Sequence, residues 1–234
     1  MSRRDRVRSA VLLLLVLLLT FAVLLSKCSD DIRMGAHGKI ELAGLFVSSL
    51  SSIQYNDFGL FPAFSAAFLL LVSDTGFERE MFILKKPEKI SRLVFSRVLL
   101  SCGLMTIGAM SGLILFWALH FNECEVTAAT VPFVAAVLVL FLVSWTALGC
   151  IMAAMENFLS KPLAWLAVQV LFIVEVRAFM FCHVSFFFTF GLLIPAADSF
   201  GPLKALFDLL VNVCWAACAL VVFRRTLDGR GRLL

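Results

Sequence analysis

The sequence has little charge and almost no tyrosine, and these shortages exclude whole classes of protein. Charged residues make up 15% of the 234 residues, and there is 1 Tyr beside 24 Phe. Aromatic side chains of this kind do not form the stacking platform on which single-stranded nucleic acids bind. With 62% hydrophobic residues and a mean hydropathy of +1.00, a water-soluble domain is also excluded. The net charge of +4 therefore indicates membrane topology, and we expect no nucleic-acid partner.

The sequence also lacks the motifs that mark common catalytic and metal sites. Its 7 cysteines form no Cys-x-x-Cys pair, and no His stands at the spacing of a zinc ligand. Neither His-Glu-x-x-His nor a paired-carboxylate motif is present. No Gly-x-x-x-x-Gly-Lys-[Ser/Thr] loop is present to bind nucleotide phosphates. We expect no catalytic residue, no metal, no cofactor and no ATPase activity in this chain.

Two of the cysteines differ from the rest because both fall in predicted exterior loops. Cys28 and Cys124 would be able to form a disulfide if the fold brought them together. Sequence spacing by itself gives no evidence of that proximity. We interpret most of the other cysteines as small apolar packing residues.

Six apolar segments approach the roughly 20 residues that a helix needs to cross a bilayer. They are Ala10–Ser26, Phe58–Ser73, Phe95–Leu119, Val131–Met155, Leu163–Met180 and Leu203–Phe223. No internal repeat and no low-complexity linker divides the chain. The sequence therefore predicts an all-α membrane protein, a bundle of about six transmembrane helices that forms a single domain over residues 1–234.

The first two segments each allow more than one interpretation. The first follows a basic start, as the apolar part of a signal peptide does. No Ala-x-Ala-like cleavage site follows it, so we interpret it as a retained signal anchor. The second is short, and it would begin earlier if the apolar run Leu42–Leu50 belonged to the same span. Because polar residues follow within 48–57, that run is typical of an exterior helix or loop.

Most of the Lys and Arg residues flank the segments on one side of the predicted membrane. If the N-terminus is cytoplasmic, this side holds the basic start, the loop before the third segment, Lys161 and the basic C-terminus. Lys and Arg near span ends stay in the cytoplasm. We therefore expect a multi-pass protein of the cell membrane, with both termini cytoplasmic and an even number of crossings.

The region from Leu163 to Ala197 is too long for one span, and a full span followed by a short re-entrant segment fits its length. It contains Glu175 and Arg177, which cannot pair with each other on one helix because they are two residues apart. Two interpretations stay open for these charges. They line a substrate path or gate, since charges at membrane depth are costly, or they lie at the headgroup level.

The longest predicted cytoplasmic loop, residues 75–92, has the pattern of a short amphipathic helix. Thr75 with Glu78 three residues later is a capping-box pattern, and Phe77, Met81 and Leu84 share one face. Pro87 ends this helix and suits the first turn of the next, which continues into the third span. The helix either rests on anionic headgroups, so that membrane lipid is its partner, or docks on a cytoplasmic protein.

A Gly-x-x-x-Gly pattern, Gly108 to Gly112, lies in the third segment. Such a pattern allows another helix to approach closely. The sequence does not decide whether the approaching helix belongs to the same chain or to a second subunit.

Four features follow one another along the chain from the second apolar segment into the third. They are Pro62 near the outer end of the second span, an acidic Glu-Arg-Glu segment, a loop with Pro and a basic residue that opens the third span. The residues concerned include Phe68–Glu80, Leu84–Pro87 and Ser91–Leu99. The turn Asn157–Pro162 and the ending Phe223–Leu227 add to it. In this arrangement the chain resembles the type-2 ABC exporter permeases. It departs from them at Lys85-Lys86 and in lacking a Gly after Glu80.

The resemblance implies that residues 75–92 form a coupling helix seated in a cleft of a separate ATP-binding subunit. The residues that would contact that subunit are Phe77, Glu78, Arg79, Glu80, Met81 and Leu84. It also implies a second permease subunit, of the same or a different chain. Two other classes of function remain as alternatives: an integral membrane enzyme acting on a lipid-linked substrate, and a membrane assembly protein that transports nothing.

Overall fold

The computed structural model describes residues 3–33, 39–50, 62, 68, 87–182 and 202–231, and most of these residues are helical. The helices and the two strands are, in chain order, α1 (Arg3–Arg33), β1 (Ile40–Glu41), α2 (Leu42–Leu50), α3 (Pro87–Leu119), β2 (Cys124–Glu125), α4 (Thr130–Met155), α5 (Lys161–Cys182) and α6 (Pro202–Gly231). This part of the chain is a helical membrane protein with one very short pair of strands.

Proline marks where four of these helices begin. Pro87 and Pro202 are the first residues of α3 and α6, Pro162 is the second residue of α5, and Pro132 lies in the first turn of α4. The first N–H groups of a helix have no partner within it, so a residue without an N–H is tolerated there, and the ring presets the helical φ. The prediction that a helix begins at Pro87 and continues into the third span is confirmed.

Four of the described helices are long and apolar enough to cross a membrane: Arg6–Asp30, Glu88–Leu119, Thr130–Met155 and Ala205–Leu227. They correspond to the first, third, fourth and sixth predicted spans. The fifth predicted span forms helix α5, and its described apolar stretch is Lys161–Val174. The second predicted span lies outside the described residues except for Pro62 and Phe68. The all-α membrane class is therefore confirmed, whereas the count of six crossings stays a prediction.

Helices α1 and α3 lie against each other along the glycine pattern. A Cβ placed on Gly108 would lie 2.9 Å from Cβ of Val16, and one placed on Gly112 would lie 2.7 Å from the backbone oxygen of Leu17. No side chain fits in that space, so glycine lets the two backbones touch. The close approach predicted from Gly-x-x-x-Gly is confirmed, and its partner is the first helix of the same chain.

Helix α4 is the most buried of the long helices and lies at the centre of the described bundle. Residues 144–150 of α4 are all buried, and Trp145 is 0% exposed. The Trp145 ring contacts Phe141 in the same helix and Phe172 in α5, with centroids 6.0 and 6.1 Å apart. Helix α6 packs mainly along α4, and α3 contacts both.

A two-residue ladder joins the connections that follow α1 and α3. Strand β1 pairs in parallel with β2, with Ile40 opposite Cys124 and Glu41 opposite Glu125. The N–H of Ile40 also donates to the carbonyl of Glu123 at 2.8 Å. Helix α2 follows directly and buries Phe46 and Val47 completely. The run Leu42–Leu50 is thus a helix packed on the bundle, in agreement with the helical interpretation of that segment.

Candidate functional site

The residues predicted to contact an ATP-binding subunit, Phe77 through Leu84, lie outside the described residues. The structure does describe the residues that follow that segment. Pro87 and Glu88 begin α3, and Glu88 lies in its first turn, where a carboxylate is favoured by the unpaired N–H groups of the helix start.

The first turn of α3 is joined to the end of α6 by an ion pair. Nη2 of Arg224 donates to Oε1 of Glu88 at 2.6 Å. Both side chains are more than half exposed, at 51% and 63%. A pair as exposed as this contributes no more than about 1 kcal/mol. It therefore sets the position of two helix ends without locking them together.

The turn between α4 and α5 is joined to the same end of α6. Nδ2 of Asn157 donates to Oγ1 of Thr226 at 2.8 Å and reaches the carbonyl of Phe223 at 3.4 Å. The hydroxyl of Thr226 in turn donates to the carbonyl of Phe223, 2.8 Å away. Asn157 is partly buried, so this contact is better shielded from water than the ion pair.

These contacts place four chain segments at one end of the bundle, which we call the basic end. It holds the start of α3, the α4–α5 turn and the end of α6, and the register of α1 against α3 adds the start of α1. The exposed cations Arg6, Lys89, Arg92, Arg224 and Arg225 lie there. We call the opposite end, with β1, β2 and the end of α1, the far end. It carries exposed carboxylates at Asp30, Glu41, Glu123 and Glu125.

The two charges proposed for a substrate path lie in α5. Arg177 is exposed, and at about 1.5 Å of rise per residue it lies roughly 24 Å along α5 from Lys161. Because α5 begins at the basic end, Arg177 lies toward the far end, beyond the apolar stretch Lys161–Val174. Glu175 belongs to the same helix, and its side chain is not among those described. Both interpretations of this pair, a path or the headgroup level, stay predictions.

A carboxylate and an amide are buried in the far half of α6. Asp208 is 0% exposed and Asn212 is 1% exposed. Nδ2 of Asn212 donates to the backbone carbonyl of Asp208 at 2.8 Å. Both lie on the buried face of α6, which packs mainly along α4. Ionisable groups at membrane depth are costly, so Asp208 is also a candidate functional residue.

An apolar groove of about 350 Å³ opens between α2, α3 and α4 near the far end. Its lining includes Leu42, Met110, Trp117, Val134 and Leu138. Because almost no polar atom faces it, the groove suits hydrocarbon such as a lipid chain and gives a charged solute no partner.

The described residues do not group three His, Cys, Asp or Glu side chains at the spacing of a metal site. Nδ1 of His120 lies 2.9 Å from Oε2 of Glu123, and the His120 ring stacks on Phe116 with centroids 4.8 Å apart. These contacts give His120 a structural place in the turn after α3.

Sequence reasoning missed the contacts of the basic end, although it singled out some of the segments that make them. The turn at Asn157 and the ending Phe223–Leu227 were both recognised, but as separate signs of family resemblance. Nothing in their spacing shows that they touch. The available signals were Asn157, a polar residue in a short turn, and the basic residues near the end of the last helix.

Comparisons of the chain with protein-family models, curated proteins and solved structures return no match. The resemblance to ABC exporter permeases therefore rests on the residues of this chain alone.

Proposed function

We propose that this chain is the membrane-spanning permease subunit of an ABC-type exporter. A separate ATP-binding subunit supplies the energy, and a second permease subunit completes the membrane path. The observation that carries the proposal is the connection of residues 75–86 to α3. That segment continues at Pro87 into a helix of 33 residues, so a push on it acts on a whole membrane span.

The packing of α3 supports this role because α3 does not move alone. Its glycine seam holds α1 along the membrane, and the ion pair of Glu88 reaches α6. Force applied at the first turn of α3 is thus divided between a tight contact with α1 and a weak, exposed contact with α6. In this mechanism α1 and α3 tilt together, while the Glu88–Arg224 pair and the neighbouring turn adjust.

The charge distribution supports an orientation with the basic end in the cytoplasm of a cell membrane. Lys and Arg are retained on that side during insertion, whereas the far end carries carboxylates. Both termini and residues 75–86 are then cytoplasmic, where an ATP-binding subunit is available. Glu175 and Arg177 lie toward the exit of the path, and Asp208 with Asn212 provides further polar groups in the same half.

The proposal is tested by reversing charge in the coupling segment. In Glu78→Lys and Glu80→Lys, we expect the ATP-binding protein that co-purifies with the chain in mild detergent to lose at least half of its permease-stimulated ATPase activity. The physical reason is that a reversed charge removes an ion pair with the partner and adds repulsion. Glu125→Lys is the matched control, because it reverses an exposed carboxylate at the far end.

The rival functions predict different results. A membrane enzyme or an assembly protein binds no nucleotide-binding protein in detergent. Unchanged stimulated ATPase in both coupling variants, with the partner still bound, would show that residues 75–86 do not couple the subunits.

A further inference from the structure

Two buried cysteines lie at the far ends of the stripes along which α1 and α3 meet. On α1 the buried residues recur every four positions, at Leu12, Val16, Thr20, Leu24 and Cys28. Cys28 is the last of them and is 2% exposed. Cys124, 4% exposed, follows the end of α3. Both are thiols in the structure.

The register of the two helices brings these cysteines to the same level. Gly108 meets Leu13 and Val16, and Gly112 meets Leu17 and Thr20. One step further along, the ring of Phe116 lies 6.3 Å from that of Phe21. Each advance of four residues on α3 matches about four on α1, so the helices are parallel and in step. Continued toward the far end, this register brings Cys28 to the level of the turn before Cys124, and the two thiols are close enough to interact electrostatically.

Backbone hydrogen bonds fix the position of Cys124 beyond the end of α3. The N–H of Cys124 donates to the carbonyl of His120 at 3.2 Å, which is a helix-like bond. The β1–β2 ladder then fixes Cys124 opposite Ile40. The ladder therefore holds Cys124 beside the connection that follows α1.

The electrostatics of Cys124 agrees with a neighbouring thiol. Burial raises the pKa of Cys124 above its ordinary value, and the adjacent Cys28 raises it further. Since only a thiolate attacks a disulfide, thiol exchange here is slow at neutral pH and accelerates as the pH rises.

We propose that Cys28 and Cys124 form a disulfide that links the far ends of α1 and α3. One thiolate attacks a disulfide-bearing oxidant, and the other displaces it from the mixed disulfide. The Sγ–Sγ bond forms, the two thiols lose two protons and two electrons, and the oxidant leaves as a dithiol. The proposal rests on the orientation proposed above, because disulfides persist only outside the reducing cytoplasm.

The other described cysteines lie in membrane spans and serve as internal references. Cys102 and Cys150 are buried, and Cys214 and Cys218 are exposed on α6. None of them lies in a connection that an aqueous oxidant reaches. We expect all of them to stay thiols in the same molecules in which Cys28 and Cys124 are bridged.

The experiment uses the full chain, extracted from its cells in denaturing detergent with N-ethylmaleimide and without reductant, so that buried thiols are alkylated as well. After proteolysis, mass spectrometry is expected to find the Cys28 and Cys124 peptides joined, and separated by reduction. In Cys28→Ser, Cys124 is expected to become alkylated in every molecule, whereas Cys214→Ser leaves the link intact. Full alkylation of both cysteines in the wild-type chain overturns the proposal without needing any variant to fold.

A second arm separates this proposal from the proposed orientation. Asn122→Cys is placed in the Cys28→Ser/Cys124→Ser chain and exposed to a membrane-impermeant maleimide in intact cells. If Asn122→Cys is labelled and Cys28 and Cys124 are thiols in the wild-type chain, the disulfide is refuted and the proposed orientation is supported. A bridge in the wild type without labelling at position 122 supports the disulfide and refutes the orientation.

Discussion

The two ends of the bundle are held together by different kinds of contact. At the basic end, side chains join the helices, through Glu88 with Arg224 and Asn157 with Thr226. At the far end, backbone joins the connections, through the β1–β2 ladder and the bond from Ile40 to Glu123. Side-chain contacts that are partly exposed are weak and re-form easily, whereas a ladder holds its register. The described contacts of the basic end are thus side-chain contacts partly open to water, whereas those of the far end are backbone hydrogen bonds.

The ends also differ in charge, and this difference bears on how the chain lies in a membrane. Of the described exposed charges, most cations lie at the basic end and most carboxylates at the far end; Glu88 lies at the basic end, and Lys39 and Arg177 lie toward the far end. In the orientation proposed above, the basic end lies in the cytoplasm. The side-chain contacts of that end are then on the side where the proposed ATP-binding subunit would bind.

The largest expected effect distinguishes the ends by access from outside the cell. We expect Asn122→Cys, at the far end, to react with a membrane-impermeant maleimide in intact cells, and Phe158→Cys, at the basic end, to react only after permeabilisation. Both positions are exposed turn residues, so each is a control for the other. Labelling of Phe158→Cys in intact cells would show that the basic end faces the outside of the cell.

A smaller effect is expected where α1 and α3 touch between the two ends. Gly112→Ala places a methyl group 2.7 Å from a backbone oxygen of Leu17, which cannot give way as a side chain would. We expect a loss of about 1–3 kcal/mol, the usual cost of overpacking, measured as a lower unfolding temperature in detergent. Gly103→Ala is the matched control, because nothing lies within 4 Å of its Cβ position. Equal stability of the two variants would show that the seam does not hold the helices.

The smallest effect is expected at the basic end itself. Thr226→Val removes the hydroxyl that accepts from Asn157 and leaves a side chain of the same shape. We expect the chain to lose about 0.5–1.5 kcal/mol of stability, the net contribution of one hydrogen bond. Thr226→Ser retains the hydroxyl and is expected to remain close to the wild type in thermal unfolding. A loss as large as that of Gly112→Ala would mean that the basic end is as rigid as the seam.

Local features of the fold were predictable because their causes are local. The helix start at Pro87, four of the spans and the close approach at Gly108 and Gly112 were all read from short patterns. The candidate site was less predictable. The ion pair of Glu88 joins two segments that are far apart in the chain, and neither segment carries a mark of the other.

By itself the sequence determined that this protein lives in a membrane and which stretches become helices, because hydropathy, proline position and glycine spacing act within a few turns. Only the tertiary structure decided that α1 is the partner of the glycine seam, that Asn157 meets Thr226, and that Cys28 reaches the level of Cys124. Those contacts depend on the relative register and direction of separate helices, and no single stretch of the chain contains that information.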